Sequence, residues 1–293
     1  MRALYNILAY MSMPFIIIRL WLKSRRLPEY RQHIAQRFSF IQQVNGCIWV
    51  HAVSLGESIA AVPIIEKLLQ RYPGAKVLVT NMTPTGRGHI QRVFSDKVYN
   101  CYLPYDIPVL VKRFLNATKP KLAIIMETEL WPNYLRQCHK RGIPIMLANA
   151  RLSQRSAKGY ARFSSFARAM FNELSCVAAQ AQVDGQRFLD LGLAKEKLHI
   201  TGSVKFDIKV TEKELEKGKA LRKFFGRPRQ VWVAASTHPG EEAQVLLAHQ
   251  ALLKKFPDAL LVLVPRHPDR FDEVALLLEK HQWSFVRRTQ EQQ

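Results

Sequence analysis

Short hydrophobic runs recur along the chain and alternate with stretches that have the spacing of amphipathic helices. The runs that predict strands are 48–53, 76–80, 98–103, 122–126, 144–148 and 176–179, and helical spacing occurs in segments such as 59–71 and 109–117. Strands that alternate with helices are typical of a parallel, doubly wound sheet. The sequence therefore predicts an α/β domain over residues 41–208.

A charged stretch at 209–229, with glycine and proline near its end, separates this pattern from a second one. The second pattern predicts strands at 230–235, 260–265 and 283–287, and helices at 241–255 and 271–280. We therefore expect a linker at 209–229 and a second α/β domain over 230–293. About 65 residues is short for such a domain, which usually has about 100 or more, so we expect this one to be incomplete.

The N-terminal segment 4–22 is nearly all apolar, and a cluster of lysines and arginines follows it. Its length is close to the roughly 20 residues that cross a bilayer, although Pro14 and Arg19 interrupt it. We predict a membrane anchor with a basic flank over residues 1–40, and the basic flank places the remaining chain in the cytoplasm. A buried core helix is the alternative, and the pattern leaves open whether an anchor would span the bilayer or lie along it.

The charge of the chain adds an expectation about its partners. The 293 residues carry a formal net charge of +21, and 48% of them are hydrophobic. A globular chain this basic predicts an acidic partner, namely nucleic acid, anionic lipid or a phosphorylated substrate. The basic residues are dispersed and not interleaved with aromatic ones, which argues against nucleic acid. The four cysteines form no CxxC pair, so neither a zinc site nor a disulfide framework is predicted.

Acidic residues follow two of the predicted strands in the first domain. Glu57 lies just after the strand at 48–53, beside Gly56, and Glu127 and Glu129 follow the strand at 122–126. The carboxyl ends of parallel strands meet at one edge of a sheet, where ligands bind. A general base needs a pKa tuned by burial and neighbouring charges, which two converging acidic clusters can supply. The alternative is that Glu57 only complements the dipole of the following helix.

Polar residues also follow two predicted strands of the second domain. Ser236, Thr237 and His238 come after the first of these strands, and Pro265 and Arg266 end the second. The serine and threonine precede two glutamates, which resembles a helix N-cap with free N–H groups for a phosphate. An arginine at a strand end can pair with a phosphate or stack on a base. We expect both loops at one edge of a sheet, where a nucleotide would bind.

One lysine near the predicted linker is a further candidate. Lys205 follows a predicted turn at Gly202 and Ser203, at the end of the first domain. There it could reach an anionic substrate across a cleft between the domains. A solvated surface lysine is the alternative.

Several common site motifs are absent from the sequence. It contains no GxGxxG, no Walker A motif, no HExxH and no GxSxG elbow. Dinucleotide, P-loop, zinc and acyl-enzyme chemistries therefore lack their characteristic residues.

Six motifs, in order along the chain, resemble those of the Kdo (3-deoxy-D-manno-octulosonic acid) transferase family. They are HAVSLGE at 51–57, ETELWPN at 127–133, NARLS at 149–153, GSVKFD at 202–207, STH with EE at 236–242 and VPRHP at 264–268. The resemblance implies a GT-B glycosyltransferase with two Rossmann-like domains, each with a parallel sheet. It also implies transfer of Kdo from CMP-Kdo to a lipid A precursor (lipid IVA), with inversion and without a metal or other cofactor. The enzyme would be at the cytoplasmic face of the bacterial inner membrane.

Matching the motifs one by one gives roles to individual residues. The resemblance makes Glu57 the general base, and Glu129 and Lys205 supporting groups at the reaction centre. It places Pro265 and Arg266 against the CMP moiety of the donor.

The family's sequences continue well past residue 268, with further nucleotide-binding motifs that this chain lacks. If the chain ends at residue 293, half of the donor site is missing. Two alternatives therefore stay open. One is a GT-B enzyme with another nucleotide-sugar donor, and the other is an inactive, membrane-associated fragment that binds acidic lipids. The sequence also leaves open how many Kdo residues are added.

Overall fold

A computed structural model describes residues 1–204, 212–226, 228–267 and 270–288. The chain divides into two compact units, Met1–Ile208 and Lys209–Gln293.

The first unit contains a seven-stranded, wholly parallel sheet. Its strands are β1 (Ile48–His51), β2 (Val77–Asn81), β3 (Tyr99–Tyr102), β4 (Leu122–Met126), β5 (Ile145–Ala150), β6 (Cys176–Ala179) and β7 (Leu198–Ile200). Their order across the sheet is β3-β2-β1-β4-β5-β6-β7. The order of the strands reverses between β1 and β4. In open α/β sheets, ligands bind at such a switch point, outside the carboxyl ends of the strands.

Helices connect these strands and cover the sheet. They are α3 (Leu55–Arg71), α4 (Pro84–Phe94), α5 (Pro108–Thr118), α6 (Pro132–Lys140), α7 (Gln154–Ala161), α8 (Ser164–Phe171) and α9 (Gln182–Asp190). The sheet is buried on both faces, because neighbouring residues of β1, Trp49 and Val50, belong to two different hydrophobic clusters. Successive side chains of a strand point to opposite faces, so each cluster lies on one face.

The six strands predicted for this unit are confirmed, with ends that differ by one or a few residues. The seventh strand, β7, was not predicted. It is three residues long and its side chains are only partly buried or exposed, so it produces no apolar run. Edge strands of this kind have little burial to mark them in a sequence.

The apolar N-terminal segment forms two helices, α1 (Arg2–Met11) and α2 (Met13–Arg26). Pro14 lies in the first turn of α2, where its missing N–H costs nothing. No single helix of the described chain is long and apolar enough to cross a bilayer, whereas this bent pair, with an angle of 46° between its helices, has the length and composition of a broken span. None of the α1 side chains is buried, and Phe15 in α2 is 74% exposed. The alternative of a buried core helix is therefore wrong.

The second unit contains a two-stranded parallel sheet with helices. Its elements are α10 (Glu212–Phe224), β8 (Val231–Thr237), α11 (Glu241–Leu253), β9 (Leu260–Pro265) and α12 (Phe271–Lys280). The range 209–229, predicted to be a linker, contains α10, because its glutamates, lysines and leucines are strong helix formers. One expectation is corrected here. The range 283–287, expected to be a strand, is irregular, and its Trp283 stacks on His249 of α11 with ring centroids 5.5 Å apart.

Candidate active site

Glu57 lies in the first turn of α3, directly after β1 at the switch point of the sheet. Ser54 is the N-cap of this helix, and the two residues form a capping box. The Ser54 hydroxyl donates to Glu57 Oε1 at 2.8 Å, and its oxygen accepts the Glu57 backbone N–H at 3.4 Å. Glu57 Oε2 accepts the backbone N–H of Val53 at 2.8 Å. The helix-terminal role that the sequence left open for Glu57 is therefore present in the structure.

The environment of Glu57 also gives its carboxyl group an unusual pKa. The residue is only 6% exposed. Burial raises its pKa, and so does the nearby Glu127, while hydrogen bonds from Ser54 and Val53 act in the opposite direction. A carboxylate oxygen has more than one lone pair, so these hydrogen bonds leave acceptor capacity for a substrate proton.

Glu129 is the second carboxyl group of the site. It follows β4, the strand that pairs with β1. Burial and the charges of Glu57 and Glu127 raise its pKa to about 7. Within the described part of the chain, no hydrogen bond lowers this value. Glu57 accepts hydrogen bonds that oppose the rise in its pKa, whereas the causes that act on Glu129 all raise its pKa.

The backbone is strained beside these acids. Glu127 and Asn149 have positive φ angles of 57° and 53°. Residues other than glycine rarely adopt this conformation, and in folded proteins it clusters at functional sites. Asn149 Oδ1 accepts the backbone N–H of Val204 at 3.2 Å, which joins the third sequence motif to the fourth. Lys205, the next residue, lies outside the described residues, so its expected position stays a prediction.

A buried polar network fixes the start of α3. Asn81, at the end of β2, donates from Nδ2 to the Ala52 carbonyl at 2.7 Å and to Ser58 Oγ at 2.9 Å. The Ser58 hydroxyl donates in turn to the Ser54 carbonyl at 2.7 Å. Gly86 of α4 packs against the same place, because a Cβ there would lie 2.9 Å from Ser58 Oγ and 3.0 Å from the Ser54 carbonyl oxygen. The contacts of Asn81, Ser58 and Gly86 link different strand ends, so no single stretch of the sequence predicts them.

Asp106 was also missed, and it fixes the segment that follows Glu129. Its carboxyl oxygens accept the backbone N–H groups of Asn133 and Tyr134, both at 3.0 Å. These are free N–H groups of the first turn of α6, whose first residue, Pro132, has none to offer. The Tyr5 hydroxyl of α1 donates to the same carboxyl at 2.7 Å. Burial raises the pKa of Asp106 to about 6.

The structure brings together the two polar loops of the second unit. Thr237 and Pro265 are partners across the β8 and β9 pair, and Arg266 donates its backbone N–H to the Thr237 carbonyl at 3.0 Å. Ser236 lies at a register shift in this pair and has a φ angle of 60°. The rings of His238 and His267 are 6.3 Å apart. All five residues expected at the donor site thus lie at one sheet edge of this unit.

The expected Ser–Thr N-cap of the following helix is wrong. Gly240, with φ of 91°, is the N-cap of α11, and it makes no side-chain cap hydrogen bond. The Thr237 hydroxyl donates instead to the buried Glu242 at 2.7 Å, and the His238 backbone N–H donates to Glu241 Oε2 at 2.7 Å. The two glutamates therefore bind the Thr237 hydroxyl and the His238 backbone N–H.

Arg270 completes this loop and was not identified from the sequence. It makes a two-pronged ion pair with Glu242, with N–O distances of 2.8 and 3.1 Å. The hydrogen bonds from Arg270 lower the pKa of Glu242 to about 2. Arg270 also donates to the Thr237 carbonyl at 3.3 Å, so the ion pair supports the end of β8. In the described ranges of the chain, no group of three or more His, Cys, Asp or Glu residues has the geometry to hold a metal ion.

An α/β fold built on parallel sheets is shared with GT-B glycosyltransferases and with epimerases. Solved structures agree on the fold. A UDP-GlcNAc 2-epimerase from Neisseria meningitidis matches with a TM-score of 0.55 and 16% identity, over 81% of this chain and 70% of its own. A glycosyltransferase from Rickettsia africae matches with a TM-score of 0.55 and 13% identity, over 83% of this chain and 66% of its own.

The family itself is given by sequence. Residues 32–208 match the family described as 3-deoxy-D-manno-octulosonic-acid transferase (kdotransferase), and the chain belongs to this family of glycosyltransferases. It is 43% identical to the 3-deoxy-D-manno-octulosonic acid transferase of Haemophilus influenzae, over 98% of this chain and 68% of that protein. It is 34% identical to the enzyme of the same name from Bordetella pertussis, over 98% of this chain and 69% of that protein. The chain thus spans about two thirds of the length of these relatives.

Proposed function

We propose that this Kdo transferase moves Kdo from CMP-Kdo to a hydroxyl of a lipid A precursor, with inversion at the anomeric carbon and with Glu57 as the general base. The observation that carries the proposal is the pair formed by Glu57 and Glu129 at the switch point of the sheet. Two carboxyl groups in different environments at one site can take distinct acid and base roles.

The proposed reaction is a single displacement. The acceptor hydroxyl oxygen attacks the anomeric carbon, its proton passes to the Glu57 carboxylate, and the bond to the phosphate oxygen of CMP breaks. CMP leaves with the bonding electrons, so charge and atoms balance. A sugar hydroxyl is a weak nucleophile, and a positioned base contributes about 10² to 10⁴ in rate. Glu129, whose pKa is raised to about 7, is partly protonated near neutral pH and can donate a hydrogen bond to the reacting groups.

The donor is assigned to the second unit. The loops that follow β8 and β9 lie at the same edge of the sheet. Arg266, in the second of these loops, is positively charged and suits the phosphate of CMP. Lys205 would add a cation that stabilises the leaving phosphate without a metal. These assignments rest on the family motifs together with the observed placement of the two loops.

The membrane surface is assigned to the N-terminal helices. Leu4, Met11, Phe15 and Trp21 of this pair are exposed apolar residues, and lysines and arginines follow them. Apolar side chains with adjacent cations favour an anionic membrane surface. We place the protein at the cytoplasmic face of the bacterial inner membrane, where a phosphorylated lipid acceptor and a soluble nucleotide sugar meet.

A direct assay tests this function. The chain, in vesicles that contain phosphatidylglycerol, is incubated with radiolabelled CMP-Kdo and lipid IVA, and the product's anomeric configuration is determined by NMR. We expect labelled lipid of inverted configuration. Labelled lipid from a different nucleotide sugar, with none from CMP-Kdo, would contradict the donor. Retained configuration would contradict the single displacement.

A further inference from the structure

A cavity of about 700 Å³ lies in the first unit, between the N-terminal helices and the body of the domain. This volume is in the range of sites that bind small ligands. Its apolar wall includes Leu8, Ala9, Ile16 and Leu20 from the two helices, and Ile107 and Trp131 from the body. Nothing in the proposed displacement at Glu57 requires such a wall.

Two polar contacts attach α1 to the body beside the cavity. Arg2 pairs with Glu173 at 2.7 Å, and the Tyr5 hydroxyl donates to Asp106 at 2.7 Å. These contacts hold α1 through the ends of two long side chains. Space therefore remains between the apolar side chains of the N-terminal helices and those of the body. A helix that only covered the core would close that space, because close packing is the norm in protein interiors.

Three cations, Arg19, Lys23 and Arg37, line the same cavity, against one carboxyl, Asp106. The Asp106 carboxyl already accepts three hydrogen bonds. In the described part of the chain, none of the three cations is in an ion pair. Arg37 is only 2% exposed, and its Nε is buried with no hydrogen-bond partner among the described residues. The Arg37 guanidinium donates from Nη2 to the Met82 carbonyl at 3.0 Å and lies 4.1 Å from the centroid of the Tyr102 ring, so the groups that hold it in place are neutral.

We infer that this cavity binds the acyl chain of a phosphorylated lipid, with the phosphate at the three cations. The apolar wall suits a hydrocarbon chain, and the phosphate would find positive charge at Arg37, Arg19 and Lys23. The outer faces of the same helices are apolar and exposed, so the site adjoins the surface assigned to the membrane. The lipid is either the acceptor or a phospholipid of the bilayer. The acceptor assignment rests on the proposed function, whereas the binding itself does not.

The test is a titration of the whole chain, held in phosphatidylcholine nanodiscs, with dodecyl phosphate, followed by ³¹P NMR. Dodecanol and inorganic phosphate are the comparison probes. Filling the cavity with Ala9→Trp should weaken dodecyl phosphate binding by about tenfold or more, which corresponds to about 1.4 kcal/mol. The matched Ala3→Trp change is on the same helix at an exposed position outside the cavity, and it should change binding by less than about twofold.

A second pair of variants tests the cavity independently, in case Ala9→Trp does not fold. Ile16→Trp fills the cavity from α2, and Ile17→Trp, its exposed neighbour outside the cavity, is the control. A third pair of variants changes the charge. Arg19→Gln should weaken the binding of dodecyl phosphate about threefold or more and leave the binding of dodecanol unchanged. Arg25→Gln, on the same helix, should change the binding of neither probe.

Competition identifies the source of the lipid. Displacement of dodecyl phosphate by lipid IVA, and not by dihexanoyl phosphatidylglycerol, assigns the cavity to the acceptor; the reverse assigns it to membrane phospholipid. Equal binding by Ala9→Trp and native protein overturns the inference, as does binding of dodecanol or inorganic phosphate as tight as that of dodecyl phosphate. Kdo transfer without dodecyl phosphate binding would overturn this inference and leave the proposed function intact.

Discussion

Ser54 and Glu57 are joined by hydrogen bonds in both directions, and the Ser54 backbone N–H also donates to Glu57 Oε1, at 3.3 Å. The Ser54 hydroxyl donates to the Glu57 carboxyl at 2.8 Å and accepts the Glu57 backbone N–H at 3.4 Å. The same carboxyl group therefore begins a helix and, in the proposed reaction, removes a proton from the acceptor. Substitution can separate the two roles, because glutamine also fits the capping-box position but cannot act as a base.

Ser54→Ala tests the cap while leaving the proposed base in place. Loss of the N-cap should lower the free energy of unfolding by about 1 kcal/mol. The Ser54 hydrogen bond lowers the pKa of Glu57, so its loss should raise that pKa and move the acidic limb of the pH–rate profile to higher pH. Urea denaturation and initial rates across pH measure both effects. An unchanged acidic limb would show that Glu57 is not the group that titrates there.

Gly86→Ala tests the contact between α4 and the start of α3. The new Cβ would lie 3.0 Å from the Ser54 carbonyl oxygen, and backbone cannot move away cheaply. We expect a loss of about 1 to 3 kcal/mol in the free energy of unfolding and a lower kcat.

Gly88→Ala, in the same helix, is the matched control. A Cβ at Gly88 meets nothing within 4 Å, so alanine there should stabilise the helix by about 0.5 to 1 kcal/mol. If both variants behave alike, the close packing at Gly86 does not support the site.

Glu129→Gln tests the raised pKa of the second carboxyl. The pKa of Glu129 in the folded protein is about 7, above its ordinary value of 4.5, so the folded state favours the protonated form. The stability that this form contributes is complete below pH 4.5 and is lost as the pH rises through 7. The variant stays neutral, so it should gain on the native protein over this interval, by about 1 to 2 kcal/mol once solvent screening is allowed for.

Thermal unfolding from pH 4 to 8 measures this difference. Glu66→Gln, at an exposed position of α3, controls for the removal of one carboxyl charge. A difference between Glu129→Gln and native protein that does not change with pH would refute the raised pKa.

Asp106→Ala tests the support of α6. The change leaves the N–H groups of Asn133 and Tyr134 without their acceptor, and should cost about 2 to 3 kcal/mol in the free energy of unfolding. Tyr5→Phe removes only the hydroxyl of α1 from the same carboxyl, and should cost about 0.5 to 1.5 kcal/mol. Urea denaturation compares the two. Equal losses would mean that Asp106 mainly attaches α1 and does not support α6.

The sequence predicted the parallel sheet and the convergence of two acidic strand ends, because alternation of apolar runs with helical spacing reports burial directly. Glu57 and Glu129 came together as expected, since β1 and β4 are neighbours. The supports of the site were not predictable in the same way. Gly86 and Asp106 act through contacts with residues far along the chain, and the sequence around them gives no periodic signal.

The charged stretch 209–229 contains a helix, α10, that its polarity alone does not predict, because its residue types favour a helix. The error at the start of α11 has a local cause. The N-cap of α11 was assigned to Ser236 and Thr237 from residue type alone. The β8 strand instead extends through Thr237, whose hydroxyl is taken by Glu242, and the cap moves to Gly240.

The kcat of Glu57→Gln for transfer from CMP-Kdo to lipid IVA tests the central claim most directly. If Glu57 is the base, kcat should fall by about 10² to 10⁴, while the capping box limits the loss of stability to about 1 kcal/mol. Ser54→Ala, which breaks the cap and keeps the carboxylate, should retain far more activity. A Glu57→Gln variant that transfers Kdo at the native rate would contradict the account, and would leave Glu57 with its helix-capping role alone.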